Sequence, residues 1–540
     1  MKKYTAKTCT PFGKLAKELN STRKTKTPAK TFSIAPASWT ASCILTAFLT
    51  VDCFAQQPQQ QQVGGNLYDR YKNWGEEYIM KQQGQIFTPT PTPFGLVENP
   101  AVTGARQVIY YRAPSNNNNA DYIFNKANKN PSEPKFEDPN ANNKNKNPLQ
   151  PLTEEEREKR QSDNILNLLN EAHTVRASRN SNFYQSPEYL NSEKTYNAAL
   201  QNLQDMLAAK KKLSIKDALF EVENAFGNSY LNKKEYDEEI KKSKEFMGIY
   251  AQQNGYDLNK NEDKHTVIQK FMREKLTITI PDPDGKSPPK TRTHEPFTYD
   301  FEDYKGEFDH RNFFLTKILA TGTGQCNSLT NTYLAFCEAL GAEVYLSFAP
   351  IHAFVKYTDS QGKVRSYEPT TGRFTTDKWY QENLYVSDEA KRNGIYLSPL
   401  NKKQIVASSI VQLAAGYKFK NGIHDGKYIN KCADEALKEF PNKNLIQAIG
   451  LYSRTTAYKL DELLWKNNVK TLDTAIYKIK GVPELVDRLF ACEAMQEKLG
   501  WEPMPNNMYE KLMQDSEFRG QEQKDKNIPT KQKRNLFNEH

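Results

Sequence analysis

Along the chain, apolar side chains recur at helical spacing in two long blocks and alternate at strand spacing in one short block between them. In the first block, Ile165, Leu166, Leu168 and Leu169 follow Thr153-Glu154-Glu155-Glu156 and predict a helix. Ser214 stands ahead of Ile215, Ala218, Phe220, Val222, Ala225 and Phe226, a side-chain N-cap followed by an apolar face. Two more helices are expected, over 233–253 with its end at Asn254-Gly255, and over 264–275, so 156–285 reads as a helical subdomain. Between 344 and 368 the period drops to two. Val344, Leu346 and Phe348 predict one strand, 352–357 a second and 364–368 a third, with Asp359-Ser360-Gln361-Gly362 as the turn and Pro369 as the stop. Helical periodicity returns over 405–418, 428–440 and 444–465, inside a region of 401–517. The fold class is therefore α+β, a small antiparallel sheet flanked by helical N- and C-terminal regions.

The chain of 540 residues carries 75 Lys+Arg against 65 Asp+Glu, a net charge of +10, and 37% of its residues are hydrophobic. That excludes a multi-span membrane protein, and the basic excess invites a nucleic-acid reading until its location is examined. Between positions 1 and 30 lie nine basic residues and one acid, followed by the apolar run 41–51 and then Cys53-Phe54-Ala55. A basic stretch, a short apolar stretch and small residues form the layout of a secretory signal over 1–55. The apolar run is too short to span a bilayer, which needs roughly 20 residues. Removing 1–55 leaves a net charge of +3, so the basic balance points to export, to the periplasm or cell surface, and not to nucleic acid. Residues 56–155 are rich in Gln, Asn, Pro and Thr and bury too little to offset the entropy of ordering, so they read as a linker with one candidate strand or docking patch at Gln107-Val108-Ile109-Tyr110-Tyr111. The charged segment 518–540 reads as a disordered tail.

Chemistry concentrates between 320 and 373. Thr321-Gly322-Thr323-Gly324-Gln325 delivers Cys326 to the start of a helix whose apolar positions are Leu329, Tyr333, Phe336, Cys337 and Leu340, closed by Gly341. A thiol there meets unpaired backbone N–H groups and the positive end of the helix dipole, both of which favour thiolate. Cys326 reads as lying off the apolar face, whereas Cys337 on that face reads as a core residue. His352 opens the second strand, and a hairpin symmetric about Ser360 sets it directly opposite Glu368, within reach for the carboxylate to hold the imidazole.

At these residues the sequence resembles the transglutaminase-like superfamily, papain-like thiol enzymes with a nucleophilic Cys at a helix start and His and Asp on successive antiparallel strands. Gly324-Gln325-Cys326 is similar to the nucleophile motif, Ile351-His352-Ala353-Phe354-Val355 to the histidine strand and Tyr367-Glu368-Pro369-Thr370 to the acid strand. The resemblance implies a papain-like core over 286–400 and a Cys326-His352-Glu368 triad acting on peptide or amide bonds through an acyl-enzyme. Gln325 and Phe354 are candidates for oxyanion or substrate positioning. Two departures stand out: Glu368 where the family has Asp, and Phe354 where an aromatic Trp is common. The rival class is a silent domain of this type that binds a protein or peptide, aided by the C-terminal helices; Cys432-Ala433, Ala436-Leu437 and Phe440-Pro441-Asn442 are similar to the end of a tetratricopeptide repeat.

Other features read as ordinary. Asp257, Asn259, Asn261 and Asp263 alternate like a calcium loop but lack its Gly and its final Glu, so no metal is expected, and no cofactor motif is present. Asp282-Pro283-Asp284-Gly285 is a turn signal. His310 reads as part of an acidic surface loop and His294 as a turn residue without a strand partner. With Cys9, Cys43 and Cys53 lost to the signal, the four remaining cysteines form no disulfide framework.

Overall fold

The computed structural model describes residues 153–504, apart from 178–182, 228–230, 283–287, 302, 307–308 and 470–473. The export signal, almost all of the linker with its 107–111 patch, most of the 282–285 turn and the 518–540 tail lie outside the described residues. Five helices come first: α1 (Glu154–Ala177), α2 (Pro187–Leu207), α3 (Ile215–Phe226), α4 (Lys233–Gln253) and α5 (Asn261–Arg273). A hairpin of β1 (Leu276–Ile280) and β2 (Lys290–His294) follows, then β3 (Thr298–Tyr299), α6 (Leu315–Thr321), β4 (Thr323–Gly324) and α7 (Cys326–Leu340). The four-stranded antiparallel sheet is β5 (Tyr345–Ala349), β6 (His352–Thr358), β7 (Val364–Glu368) and β8 (Arg373–Thr375), in sequence order. Helices α8 (Asp377–Asn383), α9 (Asp388–Arg392), α10 (Lys402–Asn421), α11 (Lys427–Leu437), α12 (Ile446–Lys466) and α13 (Val482–Lys498) complete the described chain. The class is α+β, with mixed helices and small antiparallel sheets.

Helix α7 is the axis of the molecule. The sequence reads it as amphipathic, yet every residue from Ser328 to Cys337 is buried, because β6 packs on one side while α3, α4, α5 and α6 pack on the others. Its N-terminus is fixed by a capping box: the Gln325 side chain accepts from the Asn327 N–H at 3.0 Å and Ser328 Oγ accepts from the Gln325 N–H at 3.0 Å. Gly324 is required because a Cβ there would collide with Ser328 Oγ and stand 2.7 Å from Ile318 Cδ1. Gly341, at φ 67°, ends the helix in the left-handed region.

Two carboxylates, Glu338 half-buried and Glu223 buried, tie α7 to α3 and α3 to α6, each by capping the start of the neighbouring helix. Glu338 of α7 accepts from the Ile215 and Lys216 N–H groups at the start of α3, at 3.0 and 2.9 Å, beside the expected Ser214 cap. Glu223 of α3 accepts from the Leu315 and Thr316 N–H groups at the start of α6, at 2.7 and 2.9 Å. Anions at helix N-termini satisfy orphan donors and complement the dipole. Burial pushes the Glu223 carboxyl up to about 7 against these bonds.

The helical segments before and after the sheet share one hydrophobic core running from Ile165 to Leu489. In it α10 packs on α2 and α3, and α12 packs on α1. A second cluster, including Phe354, Tyr380, Leu384 and Ile449, fills the space behind the start of β6.

Three readings are corrected. The β6–β7 ladder is centred on Gln361, with Thr358 facing Val364 and Val355 facing Tyr367, because Gly362 takes φ 75° at the third loop position and Asp359 closes the turn onto Lys363. His310 is not on a surface loop: it is 8% exposed in a short 3-10 turn and its ring packs against those of both Phe226 and Phe419. His294 does have a strand partner, Leu276, and its ring lies 3.7 Å from that of Phe271. The calcium-like stretch is the entry to α5, where Asp263 accepts from the Asp257 N–H at 2.8 Å. Among the described residues no His, Cys, Asp and Glu side chains gather into a metal-binding group, and no helix is long and apolar enough to cross a membrane.

Candidate functional site

Cys326 is the first residue of α7, so its own N–H has no partner within the helix. Its side chain is 6% exposed. The thiol lies 2.8 Å from Gln325 Oε1, to which it donates, and 4.0 Å from the Ile351 carbonyl oxygen. The Asn327 N–H fixes Gln325 Oε1 from the other side, which leaves Gln325 Nε2 buried without a hydrogen-bond partner. A buried amide donor in that condition carries a desolvation cost of about 1–3 kcal/mol.

His352 opens β6 and Glu368 closes β7, and His352 Nε2 donates to Glu368 Oε2 at 2.8 Å. The register shift described above moves Glu368 from directly opposite to diagonal, beside Phe354. Because the offset is two residues, the side chains stay on one face, and a glutamate has the length to cover the diagonal. Burial disfavours the imidazolium, but the Glu368 carboxylate and a hydrogen bond from the Cys326 side outweigh it and push His352 up to about 10. With Nε2 engaged by Glu368, the ring nitrogen that faces Cys326 is Nδ1. Thr330 Oγ1 donates to the Ala353 carbonyl at 3.0 Å and ties the nucleophile helix to the histidine strand.

The structure thus brings Cys326, Gln325, His352 and Glu368 together. It places Phe354 differently from a substrate-contacting role: the ring is 0% exposed and stacks on Tyr380 with centroids 4.1 Å apart, beneath the imidazole. A ring with no accessible surface supports its neighbours and meets no substrate.

Three residues near the site escaped the sequence reading. The Tyr380 hydroxyl donates to Glu368 Oε1, and Thr370 Oγ1 donates to Glu368 Oε2 at 3.2 Å. Ile351 is 64% exposed with φ 55°, a left-handed conformation that is rare for a β-branched residue, and it immediately precedes His352. Thr370 lies in the quoted acid-strand motif, and the strained Ile351 lies in the histidine motif, but spacing alone gives neither its conformation nor its contacts. Tyr380 sits 12 residues beyond Glu368 on another element, where no periodicity points back to the site.

No family model matches the chain, and neither a curated protein nor a solved structure is significantly similar to it.

Proposed function

We propose that the chain is an exported thiol enzyme of transglutaminase or papain-like type that acts on peptide or amide bonds. One observation carries the reading: a cysteine at a helix N-terminus neighbours a histidine that is hydrogen-bonded to a buried carboxylate at 2.8 Å. In this mechanism the Cys326 thiol passes its proton to His352 as the sulfur attacks the carbonyl carbon, and the C=O π electrons move to oxygen. The Cys326 N–H, without a partner inside the helix, is the donor at the sulfur for that oxyanion. Collapse expels the amine, which takes its proton from His352 and leaves a thioester on Cys326. Water or a second amine then attacks the thioester while His352 removes its proton, and the acyl group departs as acid or new amide. Glu368 orients the imidazole throughout and holds its charge. The export signal read over 1–55 sets this chemistry outside the cytoplasm, with a peptide or protein substrate.

The experiment is to react the full chain with an acyl-donating peptide ester and look by mass spectrometry for the acyl mass on the peptide containing Cys326. Wild type carries the adduct, Cys326→Ala does not, and hydroxylamine removes it. Absence of any adduct in wild type refutes the reading.

A second reading has one observation in its favour, namely that the thiol donates to Gln325 and is 6% exposed. In that reading the domain is catalytically silent and binds a protein or peptide with the C-terminal helices. Partner binding unchanged in a Cys326→Ala, His352→Ala double mutant, with no turnover by wild type, selects it.

A further inference from the structure

Glu368 is longer by one methylene than the aspartate the resemblance implies, and that length adds a torsion. Terminal carboxylate torsions are broad and weakly preferred, so a glutamate needs fixing from more than one side to hold an imidazole in a single orientation. The structure supplies that fixing. Glu368 is 4% exposed, and its two oxygens receive three donors: His352 Nε2–H at 2.8 Å and Thr370 O–H at 3.2 Å on Oε2, and the Tyr380 O–H on Oε1. A buried carboxylate so filled is held in one pose.

Tyr380 is itself held rigidly. It is 0% exposed on α8, whose N-terminus is capped by Thr376 accepting from the Trp379 N–H at 3.2 Å. Lys356, buried on β6, bolts α8 to the histidine strand by donating to Asp377 Oδ1 at 2.9 Å and to the Leu397 carbonyl at 2.7 Å. The Tyr380 ring stacks on Phe354 at 18°, and Phe354 in turn lies nearly parallel to His352 at 15° with centroids 6.3 Å apart. Thr375 is a second hydrogen-bond partner of the Tyr380 hydroxyl, and burial together with the Glu368 charge raises the phenol pKa, so it stays a donor.

Resting on the thiol acyl-transfer reading above, we infer that Tyr380 is a positioning residue for this site: it clamps the far oxygen of Glu368 so that the near oxygen orients His352 toward Cys326. Phe354 is the surface on which both rings are aligned. The titratable groups that face the imidazole and carboxylate are Cys326 from α7 and Tyr380 from α8, whereas Tyr367, next to Glu368 on β7, points to the opposite face of the sheet and packs with Val355 in the main core.

The test compares Tyr380→Phe, Glu368→Asp and Glu368→Gln with wild type in the full chain. It reads the pH titration of the His352 ring by NMR on histidine-labelled protein and the rate of Cys326 alkylation, with near-ultraviolet circular dichroism as the folding control. The wild-type His352 titration should lie well above the ordinary imidazole range, pushed up to about 10 by Glu368. Tyr380→Phe keeps the ring and its stacking, and lowers that value by about one unit, tenfold in the protonation equilibrium, with slower alkylation. Glu368→Asp shows the same fall, because a shorter carboxylate reaches either His352 or Tyr380 but not both; this variant leaves Tyr380 intact and serves if Tyr380→Phe does not fold. Glu368→Gln shows the largest fall. Wild-type titration and alkylation in folded Tyr380→Phe, or in Glu368→Asp, while Glu368→Gln falls, overturns the inference about Tyr380 alone. Unchanged behaviour in Glu368→Gln overturns the triad reading, and the inference with it.

Discussion

Two cysteines of the same helix each lie beside a histidine from another element, and their surroundings set the two pairs to opposite chemistry. Cys326 and Cys337 are 11 residues apart on α7, about three turns and about 16 Å, so they point to nearly the same side. Placing Cys326 off the apolar face was therefore mistaken: it continues the row of Leu329 and Tyr333, and what separates the two thiols is position along the axis. Cys337 Sγ lies 3.9 Å from His265 Nδ1. There the Nδ1 lone pair already accepts from the Tyr333 hydroxyl at 2.8 Å, and the Nε2–H donates to the Glu343 carbonyl at 2.8 Å. Both residues are 0% exposed with no carboxylate at the ring. Burial pushes His265 down to about 4 and raises the Cys337 thiol well above its usual range. At the helix start, the Glu368 carboxylate and the Cys326 side chain instead raise His352 to about 10. Proximity of thiol and imidazole does not make a nucleophile; a charged partner for the imidazolium and a ring nitrogen left to the thiol do.

The largest effect expected from this contrast is in alkylation. At pH 7 iodoacetamide should modify Cys326 at least a hundredfold faster than Cys337 in the native chain, read by peptide mapping. In His352→Ala the Cys326 rate should drop to that of an ordinary free cysteine, because the imidazole that takes or shares the thiol proton is gone. Equal rates at the two cysteines erase the distinction.

A smaller effect concerns how the nucleophile is delivered. Gly324→Ala forces a methyl group against Ser328 and Ile318, which should cost about 1–3 kcal/mol of stability by overpacking and displace Gln325 and Cys326 while leaving Cys337 unmoved. Urea unfolding measures the first part, and selective loss of Cys326 alkylation measures the second.

The smallest effect is the acid response of the inert pair. The folded-state pKa of His265 is lowered from 6.5 to about 4, so between those values the unfolded chain binds a proton that the folded chain refuses. Stability is then lost as pH falls through that window, by at most about 1.4 kcal/mol per pH unit from this residue. His265→Gln should show a shallower decline of urea midpoint between pH 6.5 and 4 than wild type. His310, held down to about 4 by burial, and Glu223, held up to about 7, titrate alike in both proteins and cancel in the difference. Parallel declines dismiss the neutral-imidazole account.

Much of the fold could be read locally. The helix at 233–253 matches α4, and the Ser214 cap and three central strands fell where periodicity put them. Helix α5 began three residues before its expected start, because Asp263 reaches back to the Asp257 N–H and closes the entry turn. The hairpin register was misjudged because it depends on which loop residue turns left-handed. His310 and His294 were misread because their flanking acids and prolines resemble turn chemistry, while the aromatic rings that bury them come from α3, α5 and α10.

By itself the sequence determined helices α3, α4 and α7, strands β5 to β7, the cysteine at a helix start and the histidine and glutamate on successive strands. These follow from caps, glycines and short-range periodicity, whose physical causes act within a few residues. Only the tertiary structure decided which ring nitrogen is free, that Tyr380 and Thr370 hold Glu368, that Phe354 is buried, and that Cys337 is inert beside a histidine of its own. Those are consequences of burial and of contacts between distant segments, and both the protonation of a side chain and the orientation of a carboxylate are set by what surrounds them in space.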